Sequence, residues 1–111
     1  MKLLDNLYVG DLVDDLPFVF NRLKNKKSVF GLYCICISPA DKFFAEILSS
    51  RELFSEKNKE KEYILIGIAK GKPEAKEVFS KIMEDFVSSE NLDLTPSKFK
   101  EHFASEDFIC V

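Results

Sequence analysis

The residues whose types and spacing come nearest to chemistry lie in Gly67-Ile68-Ala69-Lys70-Gly71-Lys72-Pro73, which leads from an apolar run into a helix start. Free backbone donors and the positive end of a helix dipole converge at such a turn, and a glycine there lets a ligand approach the backbone, so physics favours an anion. Lys70, Gly71 and Lys72 are therefore the candidate anion-binding residues, with phosphate or carboxylate as the ligand class. The spacing departs from both nucleotide fingerprints. A phosphate-binding loop has four residues between its glycines and a hydroxyl after its lysine; here there are three, and Pro73 follows Lys72. A dinucleotide loop needs three glycines in a set register. The plainer reading is that Gly71 makes a tight turn, Pro73 sets the first helical turn and both lysines are solvated.

Cys34 and Cys36 occupy alternate positions of an apolar run and so share a face. Zinc requires four ligands, usually in spaced pairs, whereas the chain has 3 cysteines and a single histidine, His102. Thioredoxin-type chemistry uses Cys-x-x-Cys at a helix N-terminus, so thiols inside an apolar strand read as buried and inert. His102 has no Ser, Cys or second His near it in sequence to form a catalytic pair. Asp11, Asp14 and Asp15 gather before a helix start without the glycine-spaced calcium loop, and capping accounts for them. No catalytic residue, metal-ligand set or cofactor is assigned.

Composition narrows the function classes. With 111 residues, 46% hydrophobic and 32% charged, the chain is one globular domain spanning 1–111. A formal charge of −3 gives no field to neutralise phosphates, so nucleic acid is excluded as a partner. Acidic and basic residues alternate over 56–62, a solvated loop. The longest apolar run, 29–37, is half of what a spanning helix needs, and Asp5, Asn6 and Asp11 interrupt any signal-like region. The odd cysteine count argues against a secreted disulfide framework. These features point to the cytoplasm and to no membrane association.

The elements that must position these residues follow from periodicity. Leu16, Val19, Phe20 and Leu23 share one helical face, with Asp14 or Asp15 as N-cap and Pro17 in the first turn, predicting a helix near 15–25. The β-branched and aromatic run 28–37 predicts a strand covered on both faces. Ser38-Pro39 followed by Phe43, Phe44, Ile47 and Leu48 predicts a helix near 39–49. A second strand is expected at 62–69. Ala75, Val78, Phe79, Ile82, Met83, Phe86 and Val87 make 73–89 the strongest helix, and Thr95-Pro96 opens a last one near 96–104. Two apolar strands joined by a helical connection form a parallel βαβ core, giving an α/β fold. A two-stranded sheet is too small for these helices, so at least one of the two terminal segments, within 3–12 or at 107–111, is expected to pair as an edge strand, or a second subunit to supply one.

The strings Leu-Tyr-Val-Gly-Asp (7–11), Tyr-Cys-Ile-Cys (33–36) and Ile-Leu-Ile-Gly-Ile-Ala-Lys-Gly (64–71) before a Glu-Ala helix resemble a set of short, uncharacterised bacterial proteins. The resemblance spans most of the chain. It implies a bacterial cytosolic source and a single domain, and no activity, cofactor or catalytic residue. Eleven Phe without Trp, an undersized sheet and no nucleophile-base pair favour a non-enzymatic module that acts through a homo-oligomer or a protein partner. The second reading is an anion-binding or enzymatic domain built on the 67–73 turn.

Overall fold

Runs of Ile, Val, Leu, Cys and Tyr become the interior of a sheet, and the segments with helical period cover its two faces. The computed structural model describes residues 1–39, 44–89, 94–104 and 106–110. In chain order the elements are β1 (Lys2–Val9), α1 (Leu16–Lys24), β2 (Leu32–Ile37), β3 (Glu46–Ser49), α2 (Ser50–Leu53), β4 (Ile64–Lys70), α3 (Lys72–Ser88), α4 (Pro96–Ala104) and β5 (Phe108–Cys110). The five strands lie in the order β3-β2-β4-β1-β5. This is a small mixed α/β domain.

Strand alternation divides the core into two layers. On one face Leu3, Leu32, Cys34, Cys36, Leu65 and Ile68 pack with Val19 and Leu23 of α1 and Leu53 of α2. On the other, Leu4, Ile35, Ile37, Ile64, Ile66 and Ala69 pack with α3 and α4. Phe99 and Phe103 of α4 join this second layer, and Phe99 stands edge-on to Phe44 and Phe86.

Two expectations are corrected. The expected strands 28–37 and 62–69 do pair, but β2 and β4 run antiparallel, from Leu32↔Lys70 to Ile37↔Ile64. The parallel pair is β1 with β4. The reversal follows from the second correction. Within the expected helix 39–49, residues 46–49 are strand β3, antiparallel to β2, and 40–43 lie outside the described residues. Ile47 reaches one core layer and Leu48 the other, a pattern that serves a short strand as well as a helix, and the open edge of β2 decides between them. Only the four-residue α2 and the 54–63 loop then lead back to β4. The expected terminal edge strand is present: β5 forms one edge of the sheet, and β1 pairs too, inside it.

Smaller differences have local causes. β2 begins at Leu32 rather than near 28, because Leu32 N–H donates to Val29 O at 3.1 Å and closes a turn with Gly31 at φ 76°. Asp15 occupies the N-cap position of α1 at φ 49° and makes no side-chain cap hydrogen bond.

Candidate association surface

The 28–31 segment connects α1 to β2 and presents Phe30 completely exposed. Three separate parts of the chain hold that segment. Ser50, buried at the start of α2, accepts from Val29 N–H at 2.9 Å and donates its hydroxyl to Val29 O at 2.8 Å. Arg22 of α1 donates from Nε and Nη2 to Ser28 O at 3.2 and 2.7 Å. Gly71 N–H, between β4 and α3, donates to Gly31 O at 2.9 Å. The exposed phenyl therefore stands on a fixed turn. An apolar ring held in water by surrounding hydrogen bonds is what an association anchor requires.

Phe30 is the shared wall of two hollows. One, of about 170 Å³, is lined also by Val13, Asp14, Phe18, Val19 and Lys70. The other, of about 420 Å³, runs past Tyr33, Ser49 and Arg51. Phe18 is 51% exposed, and the Arg22 guanidinium lies 5.9 Å from its ring centroid. Leu12, in the loop after β1, is 60% exposed. Phe18 stands off the Leu16-Val19-Phe20-Leu23 stripe, which is the one signal in the sequence that could have marked this surface.

The anion-binding candidates are placed as follows. Lys70 is exposed at the end of β4, Gly71 caps α3 at φ 82°, and Lys72 is exposed in the first helical turn. Two of the backbone donors of this turn are already engaged inside the chain: Gly71 N–H by Gly31 O, and Lys70 N–H by Glu74 Oε1 at 2.8 Å. The other carboxylate oxygen, Oε2, accepts from Leu12 N–H at 2.8 Å. Glu74 is only 7% exposed, so a carboxylate of the protein itself lies at the carboxyl ends of the parallel strands, where open α/β sheets bind ligands.

Cys34 and Cys36 are fully buried on one face. Burial pushes the Cys34 thiol up to about 12, and burial, then Cys34 and Glu46, raise Cys36 as well. His102 is half-buried, its ring edge-on to Phe86 and Phe103 at centroid distances of 5.4 and 4.9 Å. Among the described residues no three His, Cys, Asp or Glu side chains converge, and no helix is long and apolar enough to cross a membrane. No protein-family model, curated protein or solved structure matches the chain.

Proposed function

We propose that the protein is a non-enzymatic association module of the bacterial cytoplasm, and that the surface around Phe30 docks a second copy of the chain. The observation that carries the reading is the fully exposed Phe30 on a turn fixed by Ser50, Arg22 and Gly71. A projecting ring beside a hollow of about 420 Å³ is a knob next to a hole, and a two-fold axis through such a patch places each knob in the partner's hole. Unpaired buried thiols support a reducing compartment. The anion-seat reading of Lys70, Gly71 and Lys72 has less support, since Glu74 and Gly31 already engage the Lys70 and Gly71 N–H groups.

Light scattering over a concentration series tests this. The wild type is expected to approach twice the monomer mass, and Phe30→Ser to remain monomeric. Because Phe30 makes no buried contact, the variant should keep wild-type stability within about 0.5 kcal/mol, so loss of the dimer is not loss of the fold. A wild type that stays monomeric up to about 1 mM, the weak end of the affinity scale, overturns the reading. So does a dimer that survives Phe30→Ser.

A further inference from the structure

A separate cavity, on the α3 and α4 face, takes no part in the surface around Phe30. It measures about 320 Å³ and is lined by residues of β1, by Asp85 of α3, by His102 and Phe103 of α4, and by Glu106. Its floor is an irregularity in the sheet. Leu3 pairs with Leu65 and Tyr8 pairs with Gly67, so five steps of β1 span two of β4, and the surplus chain of β1 bows away from its partner. Strand irregularities of this kind re-aim side chains and recur beside binding sites. Here the bow sends Asn6, Leu7 and Tyr8 into the cleft.

Tyr8 is the centre of the polar lining. Its hydroxyl donates to Asp85 Oδ2 at 2.8 Å, which orients the phenol and leaves the oxygen lone pairs as acceptors. Burial, then the Asp85 carboxylate, then Glu106, push the Tyr8 hydroxyl up to about 12, so the group stays a phenol. Both carboxylates therefore act electrostatically on the same point, from separate elements. Asp85 also accepts the chain's own ammonium, Lys81 Nζ, on Oδ1 at 3.2 Å. Glu106 enters no ion pair among the described residues.

We propose that this cleft binds a small organic cation, a primary ammonium on an apolar or aromatic stem. Carboxylates and the Tyr8 oxygen supply the acceptors for the ammonium, and the rings of Tyr8 and Phe103 with Leu4 and Leu7 supply the wall for the stem. A bare metal ion does not suit the site, since among the described residues no three His, Cys, Asp or Glu side chains converge to hold one.

The test uses the full chain, with benzylamine as the probe and benzyl alcohol as its uncharged counterpart, followed by amide chemical shifts. Benzylamine is expected to give saturable shifts confined to β1, the second half of α3 and the 102–107 segment. Asp85→Asn and Glu106→Gln should each weaken it about tenfold. Lys70→Ala, at the other surface, should leave the titration unchanged and reports that the effect is local. Asp85 is half-buried and Glu106 exposed, and the spectra of the two variants report whether each remains folded. Shifts that stay linear up to about 10 mM overturn the proposal. So does equal binding of benzyl alcohol, or a titration indifferent to both substitutions.

Discussion

Glu74 is the clearest case of one residue set by its surroundings. A glutamate in the first turn of α3 is favoured by the helix dipole, but here it does more: its two oxygens join the loop after β1, through Leu12 N–H, to the end of β4, through Lys70 N–H. Gly10 makes room for it. A Cβ at Gly10 would meet the Glu74 carboxylate, so any side chain there displaces it from both amides. Glu74→Ala should destabilise the fold by about 3 kcal/mol, as two charge-assisted hydrogen bonds are lost and two partly buried donors are left without them. Gly10→Ala should cost a similar amount for the same reason. The two changes are not additive: once Glu74 is an alanine, Gly10→Ala has little left to displace, and the double variant should lie close to Glu74→Ala alone. Denaturant midpoints for the four proteins of this cycle decide the matter, and additive costs would disprove the coupling.

At the scale of elements, β4 is fixed by a bulge. Ile35 pairs with Gly67 while Cys36 pairs with Leu65, which leaves Ile66 as the extra residue and turns both Ile66 and Gly67 toward α3. A Cβ at Gly67 would stand 3.1 Å from Ile82, 3.2 Å from Val78 and 3.3 Å from Ile35, so glycine is what lets α3 lie close on the sheet. Gly67→Ala is therefore expected to cost about 1 to 3 kcal/mol by overpacking, and paired truncation of Ile82 to Val should recover part of it. A neutral Gly67→Ala in urea denaturation would show that α3 yields freely. Such local patterns were legible in the sequence: the expected helix 73–89 is α3 at Lys72–Ser88, and 96–104 is α4. Strand direction was not. The orientation of β2 against β4 depends on whether 46–49 adds to the edge of β2, a long-range choice between two periods that Ile47 and Leu48 both satisfy. The Phe30 surface was hidden for a related reason: its turn is held by Ser50, 21 positions away, which in sequence marks only the end of an apolar stripe.

For the whole molecule, the two-layered core makes stability depend on alkaline pH. Cys34 rises from 9.0 to about 12 on burial, Cys36 is raised as well by burial and by Cys34 and Glu46, and Tyr8 rises from 10.0 to about 12 through burial and its bond to Asp85. Each folded value is raised, so the native state holds these protons where the unfolded chain has released them. The unfolded state then binds fewer protons than the native state, and the free energy of unfolding falls as pH increases. The stabilisation is complete below pH 9.0, the ordinary thiol value, and is lost between there and about 12. For Cys34 alone, the rise from 9.0 to about 12 corresponds to about 4 kcal/mol at the upper end of that window. Denaturant midpoints measured below pH 9.0 and again above pH 10.0 should therefore drop steeply in the wild type, and less steeply in Cys34→Ala/Cys36→Ala, which keeps only the tyrosine contribution. The same burial predicts that a disulfide reagent at neutral pH titrates the exposed Cys110 at once and reaches Cys34 and Cys36 only when the chain unfolds. Parallel pH profiles for the two proteins, or rapid labelling of all three thiols in the native state, would mean that the layer between α1 and the sheet opens to water far more readily than its packing requires.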